Sequence, residues 1–328
     1  CHRSQMGKMH QNIKDLLPNA MYFGFTGTPE IKELGDIPED NIYTSDIFGN
    51  EIHRYTLYHG IRDENVLGFD PYIVNTFDET ELRQTIALEK CHKKTVEEAL
   101  NDEKTRIVFL YYMNKGKEKC PMTEIEKELR PIQYQTEAHE KAVVKEILDN
   151  WQIRSVGSRF HAILATSSIP EAIKYYKIFK EYNTSLNITA IFDPSDNNSN
   201  IAIDKIDGIT DILSDYNNTF NKDYKIGQYA SFKKDVCLRL SHKDSYLTIE
   251  NTPKEQLNLV IVVDQLLTGF DSKWINTLYM DKEQKGKNLI QSISRTNRLF
   301  GPEKPHGIII FYRKPYSMIE NLHRAVKS

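Results

Sequence analysis

The stretch Gln256–Phe300 reads QLNLVIVVDQLLTGFDSKWINTLYMDKEQKGKNLIQSISRTNRLF. It contains two continuous apolar runs, Leu259–Asp264 (LVIVVD) and Thr277–Asp281 (TLYMD). Runs of this length that do not alternate with polar residues fit strands covered on both faces, as in the interior of a parallel sheet. The same pattern recurs at Met21–Thr26 (MYFGFT), His161–Thr166 (HAILAT), Asn187–Phe192 (NITAIF) and Gly307–Tyr312 (GIIIFY). Between two of them, Pro170–Tyr182 carries apolar residues at helical spacing, with Pro170 near its start. Strands alternating with helices predict βαβ units and an α/β fold.

Two segments break the pattern. Asp78–Asn150 is rich in Glu, Lys, Leu and Ala, which predicts amphipathic helices forming an insertion or connector. Asp193–Asp223 holds seven Asp and two Lys among many Asn and Ser, and reads as a surface loop with short helical turns.

Composition narrows the classes further. The 328 residues carry 27% charged side chains and a net charge of -3, which excludes a histone-like or basic-tail protein but not a local basic patch. No run approaches the ~18 apolar residues of a membrane span, and no charged-then-apolar leader opens the sequence. Cys1, Cys91, Cys120 and Cys237 form no CxxC, which argues against a zinc site or a disulfide framework. A reducing, cytoplasmic setting and no membrane partner are the expectations.

Three motifs carry chemistry. Thr268-Gly269-Phe270-Asp271 follows the Leu259–Asp264 strand, where an α/β sheet offers its carboxyl edge to a ligand. Gly269 permits positive φ or close backbone approach, Thr268 a hydroxyl contact, and Asp271 a carboxylate for a ribose or an arginine. An ordinary strand-to-helix turn capped by Asp has the same residues. In Gln291-Ser-Ile-Ser-Arg295-Thr-Asn-Arg298, at ~100° per residue, Gln291, Arg295 and Arg298 share one helical stripe opposite Leu289 and Ile293. Two permanently charged planar forks on one stripe suit a polyphosphate, and so does a solvated basic face. Lys282–Lys314 adds eight Lys or Arg against two acids, a local excess that suits nucleotide or DNA phosphates. Phe25-Thr26-Gly27-Thr28-Pro29 places two hydroxyls at a strand end, or simply makes a Pro-ended turn.

The order of these strings resembles a superfamily 2 helicase-type motor. LLTGFD, NTLYMDK and LIQSISRTNR, together with FGFTGTP, most resemble the motor (R) subunit of type I restriction enzymes. The resemblance implies a RecA-like parallel sheet: residues 1–58 as the end of a first lobe, 59–155 as linker and helical insertion, 156–328 as a second lobe. It implies ATP and Mg2+ as cofactors. Gly269, Asp271, Gln291, Arg295, Arg298 and His2 are implied on the ATP side, with Arg295 and Arg298 catalytic as arginine fingers. Thr26, Thr28, Thr166, Ser167 and Thr268 are implied on DNA. Double-stranded DNA and the specificity and methyltransferase subunits of a restriction complex are the implied partners.

Departures accompany the resemblance. There is no GxxxxGK[ST] loop and no acidic pair ahead of Cys1-His2, so these parts are expected upstream. Glu124-Ile-Glu126-Lys127 has the letters of a nuclease motif but reads as a solvated helical stretch. Ser294 and Asn297 stand where general helicases carry Gly, as in the restriction-subunit group. Two alternatives stay open on sequence: a non-catalytic nucleic-acid-binding module with this lobe fold, and an unrelated superfamily 2 helicase.

Overall fold

The computed structural model describes residues 8–27, 29, 43–182, 184–193 and 202–327. Its centre is one six-stranded, all-parallel sheet in the order β1-β6-β5-β2-β4-β3. The strands are β1 (Phe69–Ile73), β2 (His161–Thr166), β3 (Ile188–Ile191), β4 (Leu259–Val262), β5 (Ile275–Asp281) and β6 (Gly307–Phe311). Five of the six expected runs are strands, and β2, β4 and β5 are buried along their whole length. This is the expected α/β class with a parallel sheet.

Helices fill the connections. Ahead of β1 lie α1 (Lys8–Leu16), α2 (Thr44–Phe48) and α3 (Leu57–Arg62). Between β1 and β2 lie α4 (Glu79–Cys91), α5 (Val96–Asn101), α6 (Glu103–Tyr112), α7 (Met122–Glu128) and α8 (Glu137–Arg154). The rest are α9 (Ile169–Glu181), α10 (Ala202–Phe220), α11 (Tyr229–Ser241), α12 (Gly286–Ile293) and α13 (Pro315–Lys327). β2→α9→β3 and β5→α12→β6 travel in opposite directions along the sheet. Right-handed crossovers therefore put α9 and α12 on opposite faces. No described helix is long and apolar enough to cross a membrane.

Several expectations change. Met21–Thr26 is not a strand: it is irregular, with Met21, Phe23 and Phe25 exposed. A strand buried on both faces needs neighbours on its edges, and this run does not join the sheet. Asp193–Asp223 is mostly not loop. α10 occupies it, because Ile209, Ile212, Leu213 and Tyr216 recur at helical spacing and are buried. Asp207, Asp211 and Asp215 occupy the other face of that helix, which composition alone hides. Phe69–Ile73, inside the expected linker, adds an edge strand beside β6, and its Pro71 is tolerated at an edge. α8 buries Val143, Val144, Ile147 and Trp151 in the main core, so the helical segment is fastened to the sheet. Glu126 is buried rather than solvated, because its carboxylate accepts the Tyr316 and Ser317 N–H groups at the start of α13 (2.9 and 2.6 Å). Glu124 and Lys127 are solvent-facing, as expected, and pair with each other.

Two buried histidines tie the amino ends of the strands to α11. His161 begins β2 and meets His242, just past α11, at 2.7 Å between Nε2 atoms. Trp274 stacks on His242 with ring centroids 3.8 Å apart. Burial pushes both imidazoles well below their ordinary range, and the neighbouring charge adds to this for each: His242 for His161, Lys273 for His242.

Two stability predictions follow from this packing. A Cβ on Gly307 would collide with the Thr296 side chain and approach its backbone carbonyl carbon at 3.1 Å. Gly307→Ala should cost about 1–3 kcal/mol, read as a lower urea midpoint; an unchanged midpoint contradicts this contact. Because the folded state holds the two imidazoles neutral, the unfolded chain binds more protons below the ordinary histidine range. Stability is therefore full above about pH 6.5 and falls as pH drops below it, by up to ~1.4 kcal/mol per pH unit for each imidazole. Equilibrium unfolding between pH 7 and pH 4 measures the slope, which His242→Gln should flatten.

Candidate functional site

β4 and β5 are parallel but not adjacent, so residues 263–274 must travel from the carboxyl end of one to the amino end of the other. Thr268–Asp271 lies on this return path. It stands away from the carboxyl edge, because Asp271 is four residues short of Ile275, where β5 begins. Leu266 (φ 64°) and Gly269 (φ 73°) bend the segment through left-handed conformations, and Gly269 takes the role expected of it. Ser272 anchors the loop: its Oγ donates to the Leu240 carbonyl at 2.8 Å and accepts the Trp274 N–H at 3.0 Å. Thr268, Gly269 and Asp271 are exposed.

The shared helical stripe does not exist. α12 ends at Ile293, with Ser294 as its C-cap, so Arg295 and Arg298 lie in the turn beyond it. Thr296 Oγ1 donates to the Ile293 carbonyl at 2.8 Å, a local hydrogen bond that competes with helix continuation. Gln291 remains on the helix, half-buried, and its carbonyl accepts Arg295 Nε at 3.0 Å. The turn still brings both arginines to the other motif. Arg298 Nε donates to Asp271 Oδ1 at 2.5 Å, and Arg295 Nη1 donates to the Phe270 carbonyl. The hydrogen bond from Arg298 holds the Asp271 carboxyl below its usual range. Burial, then the Arg298 charge, lowers the Arg295 guanidinium from its usual value.

Lys304 escaped the sequence reading. It is buried, and its Nζ donates to the Lys273 carbonyl at 3.0 Å. Burial and the Arg298 charge pull its ammonium down to about 7. The hint lies in Pro302-Glu-Lys-Pro305, where flanking prolines fix a turn. The Lys282–Lys314 excess is largely neutralised inside the fold. Lys282 bonds Asp264, Lys285 and Lys314 face Glu283, Arg298 bonds Asp271 and Arg313 pairs with Glu171 and Asp281.

At the carboxyl edge stand two more expected residues, Thr166 and Ser167. Thr166 is fully buried, and its hydroxyl donates to the Val262 carbonyl at 3.2 Å. Its hydroxyl serves the sheet and is not offered at the surface. Ser167 is half-buried, its Oγ donating to the Asp281 carbonyl at 3.3 Å. Thr26 is exposed. His2 and Thr28 lie outside the described residues. No group of three or more metal-ligating side chains occurs among the described residues.

Comparison with known proteins agrees with the motifs. The model of type I restriction enzyme subunit R domain 3 matches residues 158–314, and that of the SWI2/SNF2 ATPase matches residues 1–107. The SauCOLORF180P type I restriction endonuclease subunit of Staphylococcus aureus (strain COL) is 31% identical over 95% of this chain and 30% of its own length. The SsaAORF53P endonuclease subunit of Staphylococcus saprophyticus is 30% identical over 100% of this chain and 31% of its own length. This chain thus spans about 30% of the length of the curated relatives it matches. Among solved structures, a fragment of an HsdR subunit of a type I restriction enzyme from Vibrio vulnificus YJ016 covers 94% of this chain and 42% of its own, at 12% identity and a TM-score of 0.48.

Proposed function

The chain belongs with the R (endonuclease) subunits of type I restriction enzymes, and we propose that it forms part of the ATP-driven, DNA-translocating motor of such a subunit. The observation that supports this most is the meeting of two motifs 27 residues apart, Asp271 with Arg298, beside Arg295 on the Phe270 carbonyl. Two guanidiniums and a carboxylate at a partly exposed turn fit a polyphosphate: the forks bind its oxygens, and the carboxylate aims one fork until phosphate replaces it. Bound ATP with Mg2+ supplies the phosphoryl group whose transfer to water drives movement.

The contribution of this chain is electrostatic. Arg298 leaves Asp271 for the terminal phosphate and stabilises the charge that grows there during transfer, and Arg295 braces it from the same turn. Gly269 and Gln291 complete the nucleotide side. The phosphate cradle and the nuclease belong to other parts of the longer subunit. Ser167 and Thr268 meet DNA phosphates, since movement over arbitrary sequence cannot use base readout. Sequence recognition comes from specificity and methyltransferase subunits on double-stranded DNA, in the cytoplasm.

In the full-length subunit, Arg298→Ala should lower ATP turnover by roughly 10³–10⁵ while DNA affinity changes little. Steady-state hydrolysis and DNA titration decide it, and near-normal turnover refutes the role. DNA affinity itself should fall steeply between about 50 and 200 mM salt. A flat dependence would mean that phosphate contacts do not dominate.

A further inference from the structure

A buried polar network joins three distant parts of the chain at the carboxyl edge. Asp281 ends β5 and is fully buried. Its Oδ1 lies 2.9 Å from His139 Nε2 of α8, and its Oδ2 accepts the Tyr175 hydroxyl at 2.8 Å. Arg313, just past β6, reaches both Asp281 oxygens at 3.3 and 3.2 Å and Glu171 Oε2 at 3.2 Å. Glu171 in turn accepts the Gln135 amide at 3.0 Å and the Ser167 N–H at 3.2 Å. Thr76 Oγ1 stands 2.7 Å from His139 Nδ1. Burial pushes the Asp281 carboxyl up, but the His139 hydrogen bond and the charges of His139 and Arg313 outweigh it and hold it below its usual range.

Two features set this network apart from ordinary packing. Ser167 is held twice by it: its N–H by Glu171, and its Oγ by the Asp281 carbonyl. The groups on the far side, Thr76, Gln135 and His139, all come from the region between β1 and β2. A carboxylate in a dry site fixes its donors in direction as well as distance, and the loss of one donor strands the others. The helical segment and the Ser167 turn are therefore mechanically connected, from His139 through the Asp281 carboxylate and Arg313 to Glu171, with the Asp281 main chain holding the Ser167 hydroxyl directly.

We propose that Asp281 is a positioning residue, which fastens the helical segment through His139 to the Ser167 turn and so sets the grip of that turn on nucleic-acid phosphate. This rests on the proposal that Ser167 meets DNA. The helical segment then acts as a handle: a shift of α8 moves His139, Asp281 follows, and the turn loosens or tightens.

The test is a double-mutant cycle in the full-length subunit, with duplex DNA of arbitrary sequence as the probe. ATP hydrolysis is measured against DNA concentration for Ser167→Ala, Asp281→Asn and the double variant. Ser167→Ala and Asp281→Asn should each raise the DNA concentration for half-maximal stimulation about tenfold, the size of one charge-assisted contact. For Asp281→Asn the maximal rate should fall far less than that. The double variant should be no worse than either single one, because both remove the same contact. His139→Gln, which cuts only the helical side, should reproduce the Asp281→Asn shift if the latter variant does not fold. Multiplying effects, or an unchanged half-maximal concentration in folded Asp281→Asn or His139→Gln, overturn the inference. If Ser167→Ala leaves the half-maximal concentration unchanged, the DNA role of Ser167 fails and the inference with it. Arg298→Ala in the same assay reports on the motor proposal separately.

Discussion

All six strands run the same way, so each connection must return along the sheet before the next strand begins. Most of what matters in this molecule lies on those return paths. The connection into β5 carries Thr268–Asp271, and the connection out of it carries Arg295 and Arg298. Both flank one fully buried strand, so they meet although 27 residues separate Asp271 from Arg298. Because β5 is held between β2 and β6, the two loops have a rigid base. A functional turn needs such a base to hold its groups within a fraction of an ångström.

The polar interior follows a second constraint. Buried charge is tolerated only when its hydrogen-bonding capacity is met. Asp281 meets it with His139, Tyr175 and Arg313. Arg239 does so with Tyr216, Tyr246 and the Glu255 carbonyl, its guanidinium lying over the Phe220 ring. Lys304 departs from this rule: its ammonium donates to a neutral carbonyl, and its lowered proton affinity expresses the cost. The first two arrangements join elements distant in sequence, so each acts as a fastener for the fold.

The strands of the sheet were legible because continuous apolar runs leave few alternatives once both faces must be dry. His161–Thr166 and Thr277–Asp281 are examples. Met21–Thr26 misled for the same reason, since a run suited to a sheet becomes a strand only beside other strands. α10 was missed because counting Asp, Asn and Ser ignores their arrangement, and its stripe of Ile209, Ile212, Leu213 and Tyr216 outweighs them. The helical stripe drawn through Arg298 failed because helix angles say nothing about where a helix stops; Thr296 supplied a local hydrogen bond to the backbone that competes with it.

The sequence by itself determined the parallel α/β sheet and the two motifs around β5. Local pattern and side-chain chemistry decide those, and both can be read in order along the chain. The tertiary structure decided which charges are buried, which partner each takes, and that Thr166 faces inward while Ser167 reaches the edge. Those depend on contacts between residues far apart in sequence, such as His139 with Asp281, 142 positions away, and desolvation acts on such pairs only once the sheet has brought them together.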